Sequence, residues 1–287
     1  MRLSPLQYEP LLRAALDEDL GRAGDVTTLA TIPPQARATA VIAARESGVI
    51  AGLPLAAGAF RLVDPAISVT PLVADGAHVS PGDVIARIDG PAPGMLSAER
   101  VALNFLGRLS GVASLTARYA EKIAHTKARV CDTRKTTPLL RTLEKYAVRC
   151  GGGANHRFGL DDAVLIKDNH IAAAGSLTKA VQLCRLAAPH TAKIEVEAKT
   201  MAEVREACRA GAGVILLDNM TPAQVRAAVM IIAGSATVEV SGGVRYETLL
   251  DYALPGVDVI SIGALTHSAL AVDLSLDIRP ARRSRRK

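Results

Sequence analysis

The chain has no tryptophan, and aromatic residues make up only 3% of it. Its core must therefore be built from Ala, Val, Leu and Ile, which suits buried parallel strands and closely packed helices. Cysteine is scarce, with four residues at positions 131, 150, 184 and 208. No Cys-x-x-Cys pair occurs and no zinc-ligand spacing, so a disulfide framework and a structural zinc site are both excluded. The thiols read as reduced and partly buried, as in a cytoplasmic protein. No apolar run reaches the roughly 18 residues of a membrane-spanning helix. The first residues, MRLSPLQYEP, lack the apolar centre of a signal peptide.

What is present is ordinary for a soluble globular protein: 287 residues, 49% hydrophobic and 22% charged, enough for one large or two modest domains. The net charge of +6 is local. Residues 279–287 (RPARRSRRK) hold six basic residues and no acid; Lys and Arg total 34 against 28 Asp and Glu, so the body without that tail is formally neutral. A short basic tail can touch an anionic surface. With few aromatics and no nucleic-acid-binding motif, it reads instead as a solubilising end.

The densest cluster of chemistry runs from Cys131 to Ile171. It sets Arg134, Lys135, Arg141, Lys145, Arg149, His156, Arg157, Lys167 and His170 around Gly151-Gly152-Gly153. Glycines permit close backbone approach, arginine forks fit carboxylate and phosphate, and lysine supplies a point charge. The pattern points to a small, multiply anionic substrate. Arg141, Glu144 and Lys145 read as the solvated face of an amphipathic helix. Thr133-Arg134-Lys135-Thr136-Thr137 differs. It follows the apolar strand Ala128–Cys131 and precedes Pro138, which favours a helix start. Residues at such a strand-to-helix turn face the ligand in α/β proteins.

Residues 1–20 read as a helix with Leu6, Leu11, Leu12 and Ala15 on one side, and 21–28 as a turn-rich break. Strands are expected at 37–45 and 67–73, with an Ala-rich helix near 54–62 between them. Gly76 to Gly90 carries Pro81-Gly82-Asp83 between apolar runs, a hairpin signal. These make an α+β N-terminal domain, with a boundary at Pro91-Ala92-Pro93-Gly94. Ser97 then reads as the N-cap of a long helix reaching about His125.

Beyond residue 128, strands and helices alternate. Ile194–Glu197, Val214–Leu217, Thr237–Val240 and Val257–Ile260 are spaced so that one helix and two short loops fit between successive strands. Right-handed crossovers give a parallel sheet or barrel of six or seven strands. A polar residue or glycine follows each strand: Glu197, Asp218-Asn219, Ser241-Gly242-Gly243 and Gly263. Thr133-Arg134-Lys135 and Lys167-Asp168-Asn169 hold equivalent places. Ligands bind on that face of a β/α barrel. A helix N-cap is the competing role for Glu197 or Asp218 taken alone. Ser241-Gly242-Gly243 and Gly263-Ala264 can offer backbone N–H groups to phosphate.

Taken together the motifs resemble the quinolinate phosphoribosyltransferases. They are Glu99-Arg100…Leu103-Asn104…Ser110-Gly111, Asp132–Pro138, Glu144–Val148, Gly151-Gly152-Gly153…Asn155-His156-Arg157, Leu165–His170, Glu195-Val196-Glu197, Leu217–Met220, Ser241–Val244 and Gly263–Ser268. The N-terminal Gly24–Thr28 belongs with them. The resemblance implies an α/β protein with an N-terminal α/β sandwich domain (1–110), an open or atypical α/β barrel (111–270) and the basic tail (279–287). Residues 271–278 would be free to pack back on the first domain. It implies transfer of phosphoribosyl from phosphoribosyl pyrophosphate (PRPP) to quinolinate with loss of carbon dioxide, magnesium accompanying the pyrophosphate. It further implies a homodimer in which Arg100 reaches the partner's site. By motif, Arg100, Thr133, Arg134, His156, Arg157 and Lys167 would bind quinolinate. Lys135, Lys167, Glu197, Asp218, Ser241, Gly242, Gly243, Ile262, Gly263, Ala264 and His267 would bind PRPP. Among these, Lys135, Lys167, Glu197 and Asp218 are the expected catalytic groups. Glu197 and Asp218 suit ribose hydroxyls, the shell around a metal ion or a developing positive centre; no direct metal ligand is assigned. Leu139, Ala154 and Lys199 depart from the family pattern without removing a charged ligand.

Three other readings compete. A phosphoribosyltransferase-like protein tied to molybdate uptake shares the Arg-Lys-Thr and His-Arg motifs, but Ile166–His170 favours the quinolinate enzyme. A Schiff-base aldolase would want Lys135 or Lys167 in an apolar pocket, not among arginines. A nucleic-acid-binding protein would rest on the tail alone.

Overall fold

A computed structural model describes residues 3–280. The fold is mixed α/β and divides into two compact units. One comprises the chain up to Leu115, Thr142–Gly152 and the segment from Ser268; the other comprises Thr116–Arg141 and Gly153–His267.

The first unit starts with helix α1 (Pro5–Leu20), capped by Ser4 and Gln7. Its buried residues are Tyr8, Leu12 and Leu16. Leu6 is 88% exposed, so the expected Leu6 stripe is corrected: the packed face lies one position round the helix. The turn-rich segment holds a short helix, α2 (Val26–Thr31), because the Asp25 carboxylate caps the Thr28 N–H at 2.9 Å. Strands β1 (Arg37–Ala44) and β2 (Gly48–Val49) lead into helix α3 (Leu53–Val63). At Gly58 a Cβ would lie 2.8 Å from Leu12 Cδ1 and 3.2 Å from Tyr8 Cε2, so both side chains would have to shift. The bare glycine lets α1 close on α3.

Strands β3 (Ser68–Pro71), β4 (His78–Val79) and β5 (Val84–Pro91) follow. The expected hairpin at Pro81-Gly82-Asp83 is corrected. β4 pairs with β2, whereas β5 pairs with β1 and β3, so the turn joins two different sheets. Helix α4 (Ala92–Lys122) begins directly after β5. Ser97 therefore lies inside the helix rather than capping it, and its hydroxyl donates to Asp25 Oδ2 at 3.1 Å. Gly111 of α4 meets the Leu270 backbone; a Cβ would sit 1.8 Å from that carbonyl oxygen.

The second unit is a six-stranded parallel sheet: β6 (Arg129–Cys131), β7 (Val164–Ile166), β8 (Ile194–Ala198), β9 (Val214–Asp218), β10 (Thr237–Ser241) and β11 (Val259–Ser261). The order β6-β11-β10-β9-β8-β7 leaves β6 and β7 as edges, so the barrel is open on that side. The segment at Ala154 partly fills the gap through a parallel bridge to Cys131. Helix α5 (Arg141–Cys150) falls almost wholly in the first unit, whereas α6 (Asp168–Ala174), α7 (Leu177–Ala187), α8 (Met201–Ala210), α9 (Pro222–Ile232), α10 (Leu249–Tyr252) and α11 (Ala264–His267) belong to the second. The chain ends its described part in β12 (Leu274–Pro280), antiparallel to β1. Arg279 lies in that strand, opposite Thr39, and the rest of the expected basic tail, 281–287, is outside the described residues.

Helix α5 corrects another expectation. Glu144 and Lys145 are 0% exposed instead of solvated. Arg108 Nη2 donates to Glu144 Oε1 at 2.7 Å, so a charge from another segment replaces water around that carboxylate. Arg141 also has fixed partners: Nε donates to the Thr136 hydroxyl and Nη1 to the Phe158 carbonyl.

Candidate active site

The tips of the parallel strands enclose a cavity of about 810 Å³. Every residue expected at the site lines it except Arg100, which is an exposed residue of α4 in the first unit. The geometry follows from local rules. Thr200 and Thr221 are the N-caps of α8 and α9, accepting from the N–H groups of Glu203 and Gln224. The helix ends are thus satisfied two or three residues beyond the strand tips. Glu197 and Asp218 are not used as caps and line the cavity.

The β6 tip is built by several hydrogen bonds. Thr133 Oγ1 accepts from the Lys135 N–H at 3.0 Å, and the Thr266 hydroxyl donates to the Lys135 carbonyl at 2.7 Å. The lysine stem runs over Gly263, where a Cβ would come within 2.9 Å of Lys135 Cδ. Buried Asp132 accepts from the His156 N–H at 2.9 Å and from Asn155 Nδ2 at 2.5 Å, which ties the 153–157 loop to the strand. Arg157 follows, with Nη1 donating to the Ala163 carbonyl at 3.1 Å. Its Nε is buried without a hydrogen-bond partner. Burial, then the neighbouring Arg134 guanidinium, push the Arg157 pKa downward.

Across the cavity, Lys167 Nζ lies 3.0 Å from Glu197 Oε2. Lys199 Nζ lies 2.6 Å from Asp168 Oδ2 and 3.9 Å from Glu197 Oε1. The hydrogen bond from Lys199 holds the Asp168 carboxyl below its usual range and raises the Lys199 ammonium in return. At the β9 and β10 tips, Asn219 takes a left-handed φ of 55° and its N–H donates to the Ser241 carbonyl. Gly242 needs its φ of 92°, and a Cβ there would strike Asn219 Oδ1 at 2.3 Å. Gly243, Ile262, Gly263, Ala264 and His267 close the same rim.

Sequence reasoning missed Leu165, Leu216, Glu239, Val244, Arg245 and Ser261, which also line the cavity. For Glu239 a signal existed. Strand alternation puts it on the same face as Ser241, one layer down. Beside it stand Glu195, buried, and His156, whose Nε2 is 3.3 Å from Glu195 Oε2 and 3.5 Å from Glu239 Oε1. Burial, and next the Glu195 charge, raise the Glu239 carboxyl to about 7.

An opened parallel α/β barrel, with five Lys and Arg cations (Arg134, Lys135, Arg157, Lys167, Arg245) and two tip acids (Glu197, Asp218) around one cavity, defines an enzyme that grips anionic substrates at its strand ends. Comparison with known proteins narrows the class. The profiles of the N-terminal and C-terminal domains of quinolinate phosphoribosyl transferase match residues 25–110 and 112–277. The chain is 44% identical over 276 residues to the probable nicotinate-nucleotide pyrophosphorylase (carboxylating) of Bacillus subtilis, covering 96% of this chain and 95% of that protein. The corresponding Mycobacterium leprae protein is 41% identical over 275 residues, covering 93% and 95%. The crystal structure of NadC from Streptococcus pyogenes aligns with a TM-score of 0.94 at 42% identity, over 98% of this chain and 99% of that one. This chain belongs to the quinolinate phosphoribosyltransferase family.

Proposed function

We propose that this chain transfers phosphoribosyl from PRPP to quinolinate, releasing pyrophosphate and carbon dioxide and forming nicotinate mononucleotide for NAD synthesis. The observation that supports it most is Arg157. Its buried Nε lacks a partner inside a cavity that also holds Arg134 and Lys167. A buried guanidinium N–H left unsatisfied costs free energy unless a ligand accepts from it. A diacid supplies acceptors in the planar geometry that arginine matches.

The remaining residues divide by chemistry. Thr133, Arg134, His156 and Arg157 lie at one side of the cavity and suit the acceptor. Lys135, Ser241, Gly242, Gly243, Ile262, Gly263, Ala264 and His267 suit the phosphates of PRPP. Glu197 and Asp218 face the ribose, where hydroxyls donate to carboxylates. Magnesium enters as part of the donor, chelated by pyrophosphate, and no side chain here is assigned to it. Pyrophosphate departs towards Lys135, and the pyridine nitrogen captures a ribosyl centre with oxocarbenium character. Holding two anions side by side supplies much of the rate. The ring nitrogen, now cationic, stabilises the electron pair left at C2 when the 2-carboxylate leaves.

The same reading places Arg100 in the site of a partner subunit of a homodimer, and the enzyme in the cytoplasm. Among the described residues no helix is long and apolar enough to cross a membrane. The test is incubation with quinolinate, PRPP and magnesium. Nicotinate mononucleotide and carbon dioxide are expected in equal amounts, with nicotinate a poor replacement for quinolinate because it offers one carboxylate fewer. Turnover of nicotinate at the quinolinate rate would refute the assignment.

A further inference from the structure

Beneath the strand tips lies a second, drier layer of polar groups. Strand alternation sets Glu195 under Glu197, Glu239 under Ser241 and Ser261 under Gly263. All three are buried, at 6%, 4% and 4% exposure. They converge on His156, whose Nε2 lies 3.3 Å from Glu195 Oε2 and 3.5 Å from Glu239 Oε1. The other ring nitrogen is committed: Nδ1 accepts the Arg157 N–H at 2.7 Å. A nitrogen that accepts carries no proton, so the ring's proton sits on Nε2. One N–H thus faces two buried carboxyl groups. The Ser261 hydroxyl makes a short hydrogen bond to Glu239 Oε1. Carboxyl oxygens of Glu195 and Glu239 lie within 4.8 Å of each other and of a His156 nitrogen, so a proton on Glu239 removes the repulsion between them.

We propose that Glu239 holds a proton beside Glu195 under the acceptor subsite, the two acting as positioning residues that fix the His156 ring and keep the cavity floor from repelling a doubly anionic acceptor. The inference rests on quinolinate being that acceptor. The groups facing the pair are consistent with this role. His156 and Arg157 approach from the 153–157 loop, with Arg134 acting on Arg157. Ser261 approaches from β11. Flanking strands β7 and β9 offer the apolar Leu165 and Leu216. Glu197 and Asp218 stand in the layer above. Among the described residues, Arg157 is a cation that acts on Glu195.

The consequence is a pH dependence of acceptor binding separate from donor binding. Below the Glu239 midpoint, raised to about 7, that carboxyl keeps its proton; above it the floor gains a negative charge. Quinolinate binding weakens there, while PRPP, held at the strand tips, is little affected. The full-length enzyme is assayed for both KM values from about pH 6 to about pH 9. Wild-type KM for quinolinate is expected to rise about tenfold across the transition, the PRPP KM far less. Glu239→Gln, neutral at every pH, should flatten the quinolinate profile. Ser261→Ala removes a hydrogen bond that favours the ionised carboxyl, so its transition should move to higher pH. These two substitutions differ in what they remove, so a folding failure in one leaves the other informative. If both variants keep the wild-type profile, the proposal fails. It also fails if the purified enzyme carries a stoichiometric divalent metal lost on Glu239→Gln, since the three ligand atoms lie within 4.8 Å and would then be a metal site. Absence of any wild-type turnover would instead sink the choice of acceptor, and this inference with it.

Discussion

Lys167 Nζ sits 3.0 Å from Glu197 Oε2, joining a half-exposed cation to a carboxylate whose side chain is 9% exposed. The two residues come from neighbouring parallel strands, one past the end of β7 and one near the end of β8. With no substrate, each neutralises the other. On the proposed function, a diacid and a ribose would draw the lysine to carboxylate and the glutamate to hydroxyls, and the pair would serve both subsites. Lys167→Met should lower kcat/KM by about hundredfold, the scale for losing one preorganised electrostatic donor. Steady-state kinetics with each substrate varied checks this, and a loss under tenfold would exclude Lys167 from the chemistry.

Arg157 gives a sharper separation between substrates. Its Nη1 bond to the Ala163 carbonyl anchors the guanidinium, and its Nε is left for a ligand. Arg157→Ala should raise the quinolinate KM by about 10- to 100-fold, as for a lost hydrogen bond to a charged group, and leave the PRPP KM nearly unchanged. Equal effects on both constants would show that Arg157 shapes the cavity without distinguishing its occupants.

Gly242 tests the phosphate rim. Its φ of 92° disfavours any side chain, and a Cβ would lie 2.3 Å from Asn219 Oδ1. Gly242→Ala should displace Asn219 and tilt the β10 tip, costing about 1–2 kcal/mol of stability. The PRPP KM should rise about tenfold or more. Denaturant unfolding and kinetics on the same preparation separate the two effects, and an unchanged PRPP KM would remove this tip from the donor site.

The strand tips were legible in the sequence because each is marked by one event, an apolar run stopping at a polar residue or glycine. Threonines at 200 and 221 take the capping duty, and Glu197 and Asp218 line the cavity. The lower layer was not read, because Glu195 and Glu239 interrupt strands whose flanking Val and Ile residues suggest burial on both faces. Their meaning appears only when His156, from a loop 39 residues before Glu195, is brought against them. Glu144 and Lys145 were misread for a similar reason. On a helix, a Glu-Lys pair looks solvated until a partner 36 residues away, Arg108, covers the carboxylate. The β4 pairing was hidden because a two-residue strand carries no periodicity to read.

Glu239 also predicts how stability varies with pH. Its carboxyl is raised in the folded state from 4.5 to about 7. Between those values the unfolded chain releases a proton that the folded chain retains. Folding therefore loses stability as pH rises through that window. Glu239→Gln removes the penalty, so the melting temperature of the variant relative to wild type should increase from about pH 5 to about pH 8. A constant difference across that range would mean that the carboxyl titrates alike in both states.

The Arg108–Glu144 pair makes the last prediction, on folding and not chemistry. Glu144 is fully buried, and Arg108 donates to it from Nη2 at 2.7 Å and to the Ala269 carbonyl from Nη1 at 2.7 Å. The guanidinium thus links α4, α5 and the segment that leads into β12. Taking it away removes a charged donor from a buried carboxylate and another donor from a carbonyl. Arg108→Ala should destabilise the protein by about 3 kcal/mol, within the range for breaking one side of a buried pair. Arg108→Met, which restores packing without charge, should be as damaging, because the loss is electrostatic. The denaturant midpoints of the two variants decide the matter: if methionine recovers most of the stability, the arginine stem, and not its charge, holds these segments together.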